Sequence, residues 1–284
     1  MTSSPTIPIR WPSEAIWQAV APTLPGFTVE VLPEVDSTNS ELLRRIKGGP
    51  DAAPRPEPLL LVAERQSAGR GRLGRSWHSA RGASLTFSLG LPLQPADWSG
   101  LSLAVGVSVA ESLDPVQAEQ LRIRLKWPND LWLTSSQGER KLAGILVETA
   151  SWEGLRYAVI GVGVNIEPVA LAPAAGTAPA MAAVAPGCLR ELDGGIDAPQ
   201  ALLRIVPALV RAVRAFEQSG FSPFQARFAA RDVLAGRAVR LSDGSEGTAH
   251  GVAGNGALRL LTPAGMREVR SAEVSVRPKD SPPC

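Results

Sequence analysis

Leu142-Ala143-Gly144-Ile145-Leu146-Val147-Glu148 and Tyr157-Ala158-Val159-Ile160-Gly161-Val162-Gly163-Val164 are two apolar runs of strand length, separated by a connection through Ser151-Trp152-Glu153-Gly154. Runs of this kind, joined by a glycine-containing link of hairpin length, predict two antiparallel strands and carry the densest sheet signal in the chain. Both contain glycines in the strand interior. There a glycine costs packing, so it predicts close approach of a ligand or a neighbouring strand.

Working back from this hairpin, residues 122–126 and 84–91 alternate as strands, 59–63 is a continuous apolar run of strand length, and 101–113 reads as a small-residue helix. Residues 51–58 form a Pro-rich loop. Thr38 to Glu41 spells a T-x-x-E capping box ahead of Leu42, Leu43 and Ile46, predicting a helix that Gly48, Gly49 and Pro50 stop. Residues 1–34 offer a short helical pattern at 14–20 and a strand at 27–32. Working forward, residues 167–199 turn to Ala, Pro and Gly and predict an irregular connection. Leu202, Leu203, Val206, Leu209, Val210, Val213 and Phe216 then recur at helical spacing until Gly220, with Pro207 marking either a kink or a junction of two helices. From residue 233 onward, short alternating stretches at 238–241, 247–252, 258–261 and 274–276, with Asp243-Gly244 as a hairpin turn, predict a small all-β domain of barrel type.

The chain has 284 residues, 44% hydrophobic and 20% charged, enough to fill a core and too apolar for wholesale disorder. Its 29 basic and 27 acidic residues leave a net charge of +2, so no general affinity for DNA or an acidic membrane is expected. Two cysteines, Cys188 and Cys284, lie far apart with no His or Cys cluster beside them, which predicts neither a disulfide framework nor a thiolate metal site. No 18-residue apolar run and no signal-peptide pattern occur, so a soluble cytoplasmic protein is expected. His78 and His250 lack a second ligand or catalytic pair nearby in sequence and read as incidental surface residues.

Chemistry concentrates in a few stretches. Gly69-Arg70-Gly71-Arg72-Leu73-Gly74-Arg75-Ser76-Trp77 follows a strand and alternates glycine with arginine. Glycines let backbone N–H groups approach a ligand, and guanidinium forks match phosphate oxygens in pairs, so the stretch fits a polyanion such as ATP. It also spells G-x-G-x-x-G, but no helix opens after it and no acid ends a following strand, so the dinucleotide reading fails, as does a Walker A loop for want of G-K-[ST]. Trp77 beside the arginines can stack on a base or on a guanidinium, or serve as a core residue. Lys126-Trp127-Pro128-Asn129-Asp130-Leu131 leaves a strand at a turn, where Asn129 and Asp130 serve either as turn formers or as polar partners of a ligand. Lys141 opens the strand that Gly144 interrupts, and can aim its ammonium into a pocket. Asn165 closes the set, with an amide able to read a base edge.

Ser37-Thr38-Asn39, Gln66, the loop from Gly69 to Trp77, Lys126 to Leu131, Lys141 to Glu148 and Gly161 to Asn165, in that order, resemble the biotin protein ligases, also called biotin-[acetyl-CoA-carboxylase] ligases. The likeness runs from about Asp36 to Arg277 and takes in Gly247-Thr248-Ala249, Gly251, Gly256-Ala257-Leu258 and Glu273-Val274-Ser275-Val276-Arg277, which look like the family's SH3-like module. Residues 78–84 depart from it, lacking the Pro and Asn often found there. No extended helix-turn-helix pattern precedes residue 36, which predicts the monofunctional type without a DNA-binding domain.

The resemblance implies an α+β fold, a class II synthetase-like mixed sheet with flanking helices over residues 1–232 (1–34 being an N-terminal extension), followed by an SH3-like barrel over 233–284. It implies synthesis of biotinyl-5′-AMP from biotin and ATP, with Mg²⁺ bridging ATP oxygens, then transfer of biotin to one lysine of the biotin carboxyl carrier protein of acetyl-CoA carboxylase or a related carboxylase. By likeness Lys141, Arg72 and Asp130 are the catalytic candidates. Ser37, Thr38, Asn39, Gln66, Gly69, Arg70, Gly71, Arg72, Lys141 and Gly144 are expected around biotin. Arg70, Arg72, Arg75, Trp77, Lys126, Asn129, Lys141 and Asn165 are expected around ATP and the adenylate. Closure of the arginine loop over the adenylate would exclude water. No DNA or membrane partner is expected, and monomer and homodimer both stay open. A lipoate-protein ligase, which shares the adenylate logic, and a non-enzymatic docking module are the competing readings.

Overall fold

Glu153 and Gly154 have φ of 44° and 80°, the paired left-handed conformation that lets a two-residue turn follow the twist of its flanking strands. Trp152 therefore pairs directly with Leu155, and the hairpin is longer than the apolar runs that announce it. The computed structural model describes residues 8–48, 57–115, 121–168, 186–270 and 276–278. In chain order these form α1 (Ser13–Val20), β1 (Thr28–Leu32), α2 (Thr38–Lys47), β2 (Leu59–Ala63), β3 (Ser84–Pro92), α3 (Leu101–Leu113), β4 (Ile123–Lys126), β5 (Asp130–Ser135), β6 (Gly138–Trp152), β7 (Leu155–Asn165), α4 (Ala198–Ser219) and α5 (Gln225–Ala229). They continue with β8 (Ala238–Leu241), β9 (Glu246–Val252), β10 (Leu258–Thr262), β11 (Gly265–Val269) and β12 (Val276–Pro278).

The first seven strands make a mixed sheet in the order β1-β2-β3-β7-β6-β5-β4, parallel only between β1 and β2. Alternate residues of β7 sort between its faces. Ala158, Ile160, Val162 and Val164 enter the main core, to which α1, α3 and α4 contribute Ile16, Val105 and Val206, while Tyr157 and Val159 meet Leu42 and Ile46 of α2 on the other face. The expected α+β class with flanking helices is what forms. The last five strands make an antiparallel sheet in the order β11-β10-β9-β8-β12. It is tied to the first by Trp127 Nε1 donating to the Gly256 carbonyl at 3.0 Å, and by a bridge between Leu125 and Asp232.

Several expectations need correction. The helix cap is Ser37, whose hydroxyl accepts from Ser40 N–H, so the capping-box reading from Thr38 is one residue late; Glu41 instead pairs with Arg44 and Arg45. Pro207 does not divide α4 into two helices. It removes an N–H bond to Leu203, on the exposed side of the helix, so one helix runs through. β5, β11 and α5 were not foreseen; β5 begins within the turn-like Pro128-Asn129-Asp130 stretch. Gly48, at φ 72°, closes α2. The Pro-rich stretch 51–56, residues 169–185 of the Ala/Pro-rich connection, and Glu273, Val274 and Ser275 lie outside the described residues. No helix among the described residues is long and apolar enough to cross a membrane.

Candidate active site

Following β7 by twos along the α2 face leads from Tyr157 and Val159 to Gly161 and Gly163, so the sheet loses its side chains there. On the neighbouring strands Ser88 stands opposite Gly161, and Thr86 and Gly144 stand opposite Gly163. The result is a cavity of about 690 Å³, within the roughly 300–1,000 Å³ usual for small-molecule pockets. The two glycines of β7 are sterically required. A Cβ on Gly161 would lie 2.3 Å from Asn39 Oδ1, and one on Gly163 would lie 2.4 Å from the Trp77 ring.

The N-terminus of α2 forms one wall. Ser37, Thr38 and Asn39 are each 3% exposed, although all three are polar. Their neighbours explain this. Gln66 Oε1 accepts from Thr38 N–H at 2.7 Å and from its hydroxyl at 3.1 Å, and Ser88 Oγ donates within a cluster at 2.7 Å from Thr38 Oγ1 and 2.6 Å from Asn39 Oδ1. Asp36 accepts from Ser37 N–H and is clamped by both terminal nitrogens of Arg44 at 2.8 Å. The Arg44 guanidinium holds the Asp36 carboxyl down at about 2, so it stays charged and keeps the helix start ordered.

The arginine loop covers the cavity. Gly71 N–H donates to the Arg75 carbonyl and Trp77 N–H to the Gly69 carbonyl, which folds the stretch into a tight excursion with Leu73 at φ 56°. Arg70, Gly71, Arg72, Arg75 and Trp77 all line the cavity. Burial lowers the Arg72 pKa against the pull of Asp130, and Arg72 donates to Asn129 Oδ1 at 3.4 Å. Asn129 is fixed in turn by Nδ2 donating to the Ile145 carbonyl at 2.8 Å.

A cationic wall completes the site. Lys141 Nζ lies 2.7 Å from Asp130 Oδ1 and 5.8 Å from the Trp77 ring centroid, while Lys126 Nζ lies 3.9 Å from Asp130 Oδ2 and 5.2 Å from the Trp132 ring centroid. Burial pulls the Lys126 ammonium below the usual amine range; Asp130 opposes this, and Lys141, Arg75 and Arg277 add to it. From the second sheet, Arg240, Val276, Arg277 and Pro278 reach the same cavity. Among the described lining residues Asp130 is the sole carboxylate, set against five arginines and two lysines, a balance that favours a polyanion. The indole N–H groups of Trp77 and Trp132 are buried with no partner, two donors a ligand could satisfy.

The cavity thus gathers Ser37, Thr38, Asn39, Gln66, Arg70, Gly71, Arg72, Arg75, Trp77, Lys126, Asn129, Asp130, Lys141 and Gly144. Two expected site residues stand outside its lining. Gly69 lies behind it, where a Cβ would meet the Trp77 carbonyl at 2.4 Å. Asn165 donates to the Gly187 carbonyl at 3.2 Å and the Lys141 carbonyl at 3.5 Å, so it steadies the backbone that carries Lys141. Sequence reasoning missed Thr86, Ser88, Trp132 and Arg240. For the first two the available signal was strand alternation, which puts them on the face of the β7 glycines.

Residues 32–165 match the Biotin/lipoate A/B protein ligase family and residues 235–277 match the Biotin protein ligase C terminal domain, so each of the two sheets has its counterpart in this class. The chain is 37% identical over 267 residues to the bifunctional ligase/repressor BirA of Escherichia coli, covering 89% of this chain and 75% of that protein. It is 34% identical over 222 residues to the biotin--[acetyl-CoA-carboxylase] ligase of Mycobacterium tuberculosis, covering 75% and 74% of the two chains. The structure of the biotin protein ligase from Aquifex aeolicus in complex with biotin and ATP superposes with a TM-score of 0.70 at 28% identity, covering 88% of this chain and 99% of that one. The chain belongs to the biotin protein ligase family.

Proposed function

We infer that this chain is an ATP-dependent ligase that converts biotin to biotinyl-5′-AMP and then passes the biotinyl group to a lysine of a carrier protein. One observation carries the reading: a single cavity joins a buried hydrogen-bonding wall to a cationic wall and a glycine–arginine roof. In the first step a biotin carboxylate oxygen attacks the α-phosphorus of ATP, forming a mixed anhydride as the bond to pyrophosphate breaks. Two anions must meet, and Lys141 and Arg72 offset their repulsion in a site of reduced dielectric. Ser37, Thr38, Asn39 and Gln66 supply donors and acceptors for the ureido ring of biotin, which could not be buried without them. Trp77 packs on the adenine, with Asn129 beside it, and Arg70, Arg75 and Lys126 meet phosphate oxygens.

Mg²⁺ suits this donor set as a companion of the ATP oxygens, adding positive charge there. Asp130, the lining carboxylate within reach, is already engaged by Lys141, and a magnesium ion keeps much of its water. In the second step the acceptor amine attacks the biotinyl carbonyl, AMP leaves, and Asp130 orients the amine and takes its proton. The division of labour we propose gives residues 1–232 the substrates and residues 233–284 a supporting role through Arg240 and Arg277. The acceptor is the biotin carboxyl carrier domain of acetyl-CoA carboxylase or a related carboxylase, and the reaction is cytoplasmic. The lipoate-ligase and docking-module readings are not favoured: neither accounts for the biotin ligase C-terminal match together with the cavity. The test is incubation with ATP, biotin and an apo carrier domain. Mass spectrometry should find one biotinyl group on the carrier; a carrier that takes lipoate and no biotin overturns the reading.

A further inference from the structure

Glu148 stands outside the cavity, half-buried on β6 and on the face shared with Gly144 and Leu146. Its carboxylate accepts one N–H of the Asn39 amide, Nδ2 to Oε2 at 2.8 Å, and the Leu146 carbonyl takes the other at 3.1 Å. Both hydrogens of the amide are therefore spent on the sheet. A flipped amide would set Asn39 Oδ1 against a carboxylate oxygen and a carbonyl oxygen, three acceptors with no proton among them. Asn39 Oδ1 is thereby held over Gly161, where a side chain would collide with it, and is met by the fully buried Ser88 hydroxyl at 2.6 Å.

We propose that Glu148 is a positioning residue that fixes the polarity of the inner end of the cavity, presenting Asn39 Oδ1 as an acceptor and so selecting a ligand with ring N–H groups. Ser88 supports the same orientation from the opposite side. The single Ser88 hydrogen is required at Asn39 Oδ1, which has no proton of its own, while the Thr38 hydroxyl hydrogen goes to Gln66 Oε1. Gln66 Oε1 is thus filled by the Thr38 N–H and hydroxyl, which leaves the amide nitrogen as the donor end of that side chain. A cyclic urea matches this pattern, with N–H groups for the acceptor and a carbonyl for a donor.

This inference rests on the biotin reading of the cavity, and calorimetric binding of biotin without ATP separates the two. If the parent protein does not bind biotin, the functional reading fails. If the parent binds biotin, Glu148→Ala should weaken that binding about tenfold or more, the scale for releasing a buried polar group, while the KM for ATP stays within about twofold. Glu148→Gln keeps an acceptor and should recover most of the affinity. The parent should also discriminate strongly against biotin methylated on its urea nitrogens, and Glu148→Ala should lose most of that discrimination. Unchanged biotin affinity in Glu148→Ala, or an equal loss for biotin and ATP, overturns the proposal. Should Glu148→Ala fail to fold, Ser88→Ala reads the same quantity: weaker biotin with unaltered ATP supports it, and unaltered biotin overturns it.

Discussion

Lys141 and the two β7 glycines are where single atoms decide most. Lys141 Nζ sits against Asp130 beside the Trp77 ring, in the cavity proposed to bring the biotin carboxylate to the α-phosphate. Replacing it with alanine should slow adenylate formation by about two to three orders of magnitude, the scale for one preorganised charge-stabilising group; an unaltered rate of biotinyl-5′-AMP formation removes Lys141 from the chemistry. Gly161 and Gly163 offer a sharper contrast, since each faces a different wall. A methyl group at 161 strikes Asn39 and one at 163 strikes Trp77. With overpacking costing about 1–3 kcal/mol, Gly161→Ala should chiefly weaken biotin and Gly163→Ala chiefly raise the KM for ATP, each roughly tenfold. The same effect on both substrates in both variants would contradict two separate subsites.

The arginine loop is the element expected to close over a bound adenylate. It carries an exposed Leu73 with left-handed backbone and keeps three arginines at the cavity mouth. Trypsin cleaves after arginine, so Arg70, Arg72 and Arg75 serve as built-in reporters. Biotin and ATP together should protect residues 69–79 from trypsin well beyond either substrate alone; equal cleavage with and without substrates contradicts closure. At this scale the sequence was legible where a period was clean. Residues 59–63, 101–113 and 238–241 form their elements with the bounds that a continuous apolar run, a small-residue helical stretch and alternation respectively predict, and the long hairpin pairs as read. It was illegible where polar residues lie in a strand. β5 opens with Asp130 in a stretch that imitates a turn, and β11, Gly-Met-Arg-Glu-Val, is mostly exposed and has no apolar face to signal it. Of the site, charged and glycine residues could be named from local motifs. The roles of Ser88 and Glu148 could not, since their meaning lies in Asn39, 49 and 109 residues away. Asn165 was assigned to a base edge because an amide has several uses, and only the backbone around Lys141 reveals its partners.

At the scale of the whole molecule, the two sheets meet around Asp232. Its carboxyl is 4% exposed, Oδ1 accepts from Leu234 N–H, and Oδ2 has no partner. Burial raises its pKa to about 6. A raised carboxyl favours the folded state fully below the unfolded value near 4 and loses that contribution as pH rises through 6, a change of about 3 kcal/mol. The Tm of Asp232→Asn minus that of the parent should therefore grow between pH 4 and pH 7; a difference independent of pH contradicts a proton held at this junction. The second sheet also sends Arg240 and Arg277 to the cavity, so its lining draws on the assembled pair of sheets. The claim beneath all of this is that one cavity holds biotin and ATP together long enough to join them and then retains the product. The most direct measurement is to mix the protein with biotin and ATP in the absence of any carrier, pass it through a desalting column, and assay the protein fraction. Biotinyl-5′-AMP should travel with the protein at about one per chain, with an equal amount of pyrophosphate released. ATP consumption indifferent to biotin, or a protein fraction free of adenylate, would contradict the account.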